Sequence, residues 1–143
     1  MSTRHSQQLR PPMPALQIRL QAEETDQMTD WLMAFVDTGA DATIVPWQYL
    51  TAIGARETSP GWLRGITGER VPVALYFANI RLDTAITISG VRVVASRSEE
   101  HILLGRDVLN KLPVFLDGPR QQTEILDEQS ANRLRTRRAE SDQ

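Results

Sequence analysis

Leu16, Ile18 and Leu20 alternate with Gln17, Arg19 and Gln21, the period of two expected of a half-buried strand. Residues 31–36 are more continuously apolar and predict a second, deeper strand. The polar run Glu23-Glu24-Thr25-Asp26 supplies a turn between them, so the pair reads as a hairpin that ends at Asp37. Ile44-Val45 is a short strand stopped by Pro46, and residues 47–53 read as a short helical stretch closed by Gly54. Val71, Val73, Leu75 and Phe77 alternate again, and Ile80 and Leu82 continue in the opposite phase, which predicts a bulge or bend near Ala78-Asn79. Residues 85–88 and 91–95 flank Ser89-Gly90 and read as another hairpin. Residues 101–104 are nearly all apolar, as in a buried central strand. Residues 106–112 fit one or two helical turns before Pro113. A last hairpin is expected over 114–116 and 123–126, around Asp117-Gly118-Pro119.

Many short strands with few helices predict an all-β, barrel-like domain. At 143 residues the chain has room for one core. That domain is expected over residues 14–126. Residues 1–13, polar and then Pro-rich, read as a flexible arm. Residues 127–143 have little apolar content and no sustained periodicity, and read as a disordered polar tail.

The net charge of −2 creates no global field toward nucleic acid or an anionic membrane. The basic cluster Arg133-Leu134-Arg135-Thr136-Arg137-Arg138 has acidic neighbours and reads as solvated tail. Neither nucleic acid nor a membrane is expected as a partner. With no cysteine in the sequence, disulfides, thiolate metal sites and a cysteine nucleophile are excluded. His5 and His101 lie far apart, which argues against a His-rich metal site or a Ser-His-Asp triad. No apolar signal region opens the sequence. No run reaches the roughly 18–20 apolar residues of a membrane span. A cytoplasmic protein is the expectation.

The chemistry concentrates where two apolar runs meet at Asp37-Thr38-Gly39. A buried strand there ends on a carboxylate held in a tight turn. Gly39 permits either a close backbone approach or a positive φ, and the Thr38 hydroxyl can fix the loop. Further on, Gly65-Ile66-Thr67-Gly68 between strand-like flanks reads as a hairpin tip. Downstream, Leu103-Leu104-Gly105-Arg106-Asp107 leads an apolar strand through a glycine into a helical turn.

These stretches, together with Ala40 and Thr43 behind the first, resemble the retropepsin-like aspartic proteases over roughly residues 16–126. A single Asp-Thr-Gly resembles the branch in which two chains each supply one catalytic Asp. The resemblance implies a closed, barrel-like acid-protease fold with one short helix after Leu-Leu-Gly-Arg-Asp. It implies Asp37 as catalytic carboxylate, Thr38 as brace between the two loops across the dimer axis, and Gly39 as the point where the substrate backbone passes. Ala40, Asp41, Ile44 and Leu103 would line the cleft. Gly65, Ile66, Thr67 and Gly68 would form a flap over an extended peptide. Thr43, Gly105, Arg106 and Asp107 would support the site, Asp41 pairing with Arg106 and Asp107 bonding back toward Thr43. Neither metal nor organic cofactor is implied.

The function implied is an aspartic endopeptidase whose homodimer activates water between two Asp37 carboxylates. The alternatives are a weakly active or inactive dimerisation or peptide-binding module of the same fold, and one half of a heterodimeric protease. The flap tip is less glycine-rich than in many viral relatives. The chain ends in a hairpin and a polar tail where viral relatives interleave terminal strands, which moves the expected dimer interface to residues 114–126.

Overall fold

A computed structural model describes residues 1–65, 67–83 and 85–142. The elements in order are β1 (Ser2–Arg4), β2 (Ala15–Gln21), β3 (Leu32–Val36), β4 (Ile44–Pro46), α1 (Trp47–Ala52), β5 (Arg56–Glu57), β6 (Gly61–Arg64), β7 (Arg70–Arg81), β8 (Thr87–Ser96), β9 (Ile102–Leu104), α2 (Arg106–Leu109), β10 (Val114–Asp117), β11 (Gln122–Ile125) and α3 (Glu128–Ser141).

The larger sheet runs β2-β3-β9-β4-β8-β7-β5, and β2 pairs back onto β7. The ring β2-β3-β9-β4-β8-β7 is therefore a closed barrel, which leaves no free edge among those strands. Its inward residues form one core: Leu16, Ile18 and Leu20 from β2, Ile80 from β7, Val93 from β8 and Leu104 from β9 are all fully buried. Truncating one of these, for example Leu104→Ala, is the kind of change that costs about 2–5 kcal/mol.

β9 lies between β3 and β4. It runs parallel to β3, with Phe35 opposite Leu103, and antiparallel to β4, with Ile44 opposite Leu103. The loop that joins β3 to β4 must therefore pass over the end of β9. That crossing brings the two sequence motifs into contact, although more than 60 residues separate them.

The β2–β3 hairpin, α1 and the β10–β11 hairpin lie where the hydrophobic pattern places them. Gly54 ends the α1 region at φ +67°, and the register of β7 against β8 shifts between Ala78 and Ile80. The hairpin expected around Ser89-Gly90 is instead that same irregularity. β8 runs unbroken through it, and Ser89 and Gly90 together oppose Asn79. Gly90 takes φ +66° and its N–H donates to Asn79 Oδ1 at 2.9 Å. A left-handed glycine here kinks a strand without reversing it. The reversal comes earlier, where the Leu82 N–H donates to Ile86 O and Asp83 Oδ1 accepts from the N–H groups of Ala85 and Ile86.

Both termini differ from expectation. Within the predicted flexible arm, β1 adds to the open edge of β11, Thr3 opposite Thr123, and Ser6 and Met13 exchange backbone hydrogen bonds. Strand addition uses main-chain groups, so the side-chain pattern does not announce it. The predicted disordered tail carries α3. Its cap is local: Asp127 accepts from the Ser130 N–H at 2.7 Å and from its hydroxyl at 3.1 Å. Arg135 bonds Asn132 and Glu128, one and two turns back. Only Ala131 of α3 is buried, so no apolar stripe marks the helix in sequence. Trp31, the first residue of the apolar run that predicts the deeper strand, is 45% exposed and lies just outside β3, with the Arg19 guanidinium 5.8 Å over its ring. No helix among the described residues is long and apolar enough to cross a membrane.

Candidate active site

Asp37 follows directly on β3. Its N–H donates to Leu104 O at 3.0 Å, continuing the β3–β9 ladder one residue beyond Val36. The buried strands thus set the position of a half-buried carboxylate on a short polar loop. Gly39 returns an N–H to Asp37 Oδ1 at 3.0 Å, and Ala40 N–H bonds Asp37 O at 3.2 Å. A Cβ on Gly39 would stand 3.3 Å from Asp37 Oδ1. Of the two roles open to Gly39, close approach is the one used. Thr38 and Gly39 are exposed.

Behind the loop the downstream motif locks in. The Thr43 hydroxyl, fully buried, donates to Asp107 Oδ1 at 2.7 Å and accepts from the Gly105 N–H at 3.1 Å. The Thr43 N–H donates to Asp107 Oδ2 at 3.0 Å. Arg106 N–H bonds Ala40 O at 2.9 Å, and its guanidinium donates to Thr38 O at 2.8 Å and to Asp41 Oδ1. Gly105 has no room for a side chain: a Cβ would meet the Ala42 carbonyl carbon at 2.6 Å. Side-chain, backbone and steric terms therefore all hold loop 37–43 against α2. The Arg106–Asp41 pair is largely exposed, so it adds little to stability and serves to fix Arg106 against the loop.

β6 and β7 form a hairpin with Leu63 opposite Val71 and Arg64 opposite Arg70. At its tip Gly65 N–H donates to Glu69 O at 2.8 Å, Gly68 N–H donates to Gly65 O at 3.0 Å, and Gly68 takes φ +83°. Thr67 is exposed there. Ile66 lies outside the described residues. Leu63 and Arg64 share a pocket of about 250 Å³ with Gly39, Ala40, Asp41, Ala42 and Ile44. The hairpin and the Asp37 loop therefore wall one cleft. Leu103 sits half-buried in β9, between Phe35 and Ile44, away from that pocket. Ala42, Leu63 and Arg64 were not singled out from the sequence. Leu63 and Arg64 lie in the strand-like flank of the tip, but their neighbours across the cleft are set by the barrel. Among the described residues no three His, Asp or Glu side chains gather as a metal site.

A family model described as retroviral aspartyl protease matches residues 10–117. Among solved structures, the chain is similar to a retropepsin-like aspartic protease from Rickettsia conorii, at 11% identity and a TM-score of 0.55, covering 86% of this chain and 86% of that one. It is also similar to EIAV protease in an inhibitor complex, at 20% identity and a TM-score of 0.52, covering 69% of this chain and 86% of that one. Both likenesses concern the fold. No curated protein matches the sequence.

Proposed function

The chain belongs to the retroviral aspartyl protease family, and from that premise we propose that it is an aspartic endopeptidase that works as a homodimer. The observation that carries the reading is the single Asp37 carboxylate, presented on an exposed loop that the Thr43–Asp107–Gly105 lock holds in place. One chain supplies half of a catalytic dyad. Two-fold symmetry brings a second Asp37 to the same point, because an isologous interface repeats each contact.

Two carboxylates in contact cannot both ionise cheaply, so the pair holds one proton. The ionised member takes a proton from water, which attacks the peptide carbonyl carbon. The protonated member donates a hydrogen bond to the carbonyl oxygen and then supplies the proton for the leaving nitrogen. Titration belongs to the pair and not to either Asp37 alone. Thr38 of each chain braces the two loops, and the β6–β7 hairpin acts as a flap that holds an extended peptide through main-chain hydrogen bonds.

β10 supports the dimer reading. It forms an outer edge of the sheet β1-β11-β10, and Phe115 and Leu116 on it are 46% and 48% exposed. An apolar, unpaired edge strand is a template for pairing with another chain. The deciding experiment is peptidase activity on a peptide library from about pH 3 to 7, where carboxylate dyads titrate, for wild type and Asp37→Asn. A bell-shaped profile that vanishes in the variant is expected. No cleavage from a folded dimer would point to a binding module, and no cleavage from a monomer to a missing heterologous partner.

A further inference from the structure

We propose that the cleft selects substrates with an acidic side chain flanking the scissile bond, and that Arg64 is the specificity-determining residue; this rests on the peptidase reading above. The pocket between loop 39–44 and β6 has an apolar wall of Ala40, Ala42, Ile44 and Leu63. Through Ala42 and Leu63 it continues into a groove of about 550 Å³, whose charged lining residues are Arg92, Asp107 and Lys111.

The charges along this path do not cancel. Asp41 is taken by Arg106. Asp107 is bonded only by neutral groups of Thr43, so it keeps its charge and offsets one of the three cations Arg64, Arg92 and Lys111, which leaves the lining net positive. Arg92 donates only to neutral oxygens, of Thr58 and Ser59. Among the described residues no carboxylate lies within ion-pair distance of Arg64, Arg92 or Lys111. At the hairpin tip Glu69 folds toward Gly65, and Arg70 stands opposite Arg64 in the β6–β7 register, adding one charge of each sign. Two arginines directly opposite each other repel, and an incoming carboxylate relieves that repulsion. A chain of net charge −2 thus has a cleft wall that is locally cationic.

Charges in a cleft with apolar walls act more strongly than on an open surface. A peptide carboxylate placed there gains an ion pair, whereas a lysine or arginine meets unpaired cations and is rejected, the repulsive half of specificity. Two-fold symmetry presents the pocket twice, so an acidic position is favoured on either side of the scissile bond.

The test uses the full chain and a peptide set in which the flanking positions carry Glu, Gln or Lys in turn. Wild type is expected to cleave the Glu peptides with kcat/KM about tenfold above the Lys peptides, the size of one partly screened attraction gained plus a similar repulsion avoided, with Gln between. Arg64→Glu is expected to reverse that order, Lys111→Glu to flatten it, and 0.5 M salt to weaken it. Cleavage without preference among the three sets, or an unchanged order in Arg64→Glu, overturns the inference and leaves the peptidase reading standing. If nothing is cleaved, the same peptides are measured as ligands of Asp37→Asn by fluorescence anisotropy. Acid-selective binding that Arg64→Glu abolishes then sustains the inference without the peptidase activity, and binding indifferent to charge overturns it. Because Arg64 is exposed, a thermal melt within a few degrees of wild type is expected for its variant.

Discussion

Thr43 and Asp107 are joined twice: the Thr43 hydroxyl donates to Oδ1 at 2.7 Å and the Thr43 N–H to Oδ2 at 3.0 Å. The same hydroxyl accepts the Gly105 N–H. One buried oxygen therefore ties the loop after Asp37 to the strand end and helix that carry the second motif. Hydrogen bonds to a charged partner contribute about 1.5–3 kcal/mol each. Thr43→Val keeps the shape but strands the Gly105 N–H and an Asp107 oxygen. A loss of about 2–4 kcal/mol in urea unfolding is expected. Thr43→Ser, which keeps the hydroxyl, should recover more than half of it.

Gly105→Ala should be severe. The added Cβ falls 2.6 Å and 2.7 Å from the carbon and oxygen of the Ala42 carbonyl, and backbone cannot swing aside as a side chain can. Relief requires loop 37–43 to separate from α2. The expectation is destabilisation of at least about 3 kcal/mol, at the diagnostic end of the range for single substitutions. A chemical denaturation midpoint equal to wild type would show that the loop yields freely.

If β10 mediates the dimer, charge on its exposed edge should dissociate it. Phe115→Asp and Leu116→Asp place carboxylates against their own symmetry copies. Sedimentation equilibrium should show dimer association weakened by tenfold or more, about 1.4 kcal/mol. Activity per chain should then rise steeply with protein concentration. The monomer fold should survive, because both side chains are about half exposed in the single chain.

The α3 cap supplies a pH dependence. The Ser130 N–H and then its hydroxyl hold the Asp127 carboxyl below its ordinary value. A carboxylate with a depressed folded-state pKa adds stability above its unfolded pKa, near 3.9, and loses it as pH falls through the lower folded value. Helical circular dichroism from α3 should therefore be constant from about pH 5 to 7 and decline below about pH 4. Asp127→Ala should lower it at neutral pH and remove that decline. An isolated helix of 14 residues is marginal in water, so the cap has visible leverage here.

Much of the site is legible in the chain because its determinants are local. Asp37-Thr38-Gly39 lies at the end of an apolar strand, and Gly105-Arg106-Asp107 at the end of another. The apolar runs alone predict both strands. Their alternation with polar residues predicts the β2–β3 and β10–β11 hairpins, since a turn and two half-buried strands need only near neighbours. The phase change after Phe77 announces the register shift between β7 and β8, whereas the assignment of Ser89-Gly90 to a turn fails. A left-handed glycine serves a bulge as readily as a turn, and the pairing of β8 with β7 decides which.

By itself, then, the sequence determined an all-β chain, the presence of one carboxylate-bearing loop, and the residue types that brace it. The tertiary structure decided what those residues meet. β9 had to insert between β3 and β4 before Thr43 could reach Asp107, and closure of the ring had to bring β6 over loop 39–44 before Arg64 could share a pocket with Ala42. It also decided the termini: β1 pairs through main-chain groups, which carry no side-chain signature, and α3 is held by a cap and the Arg135–Glu128 ion pair without a buried face. Periodicity reports burial against a core. It cannot report main-chain pairing at an edge, or which distant loop a strand will face.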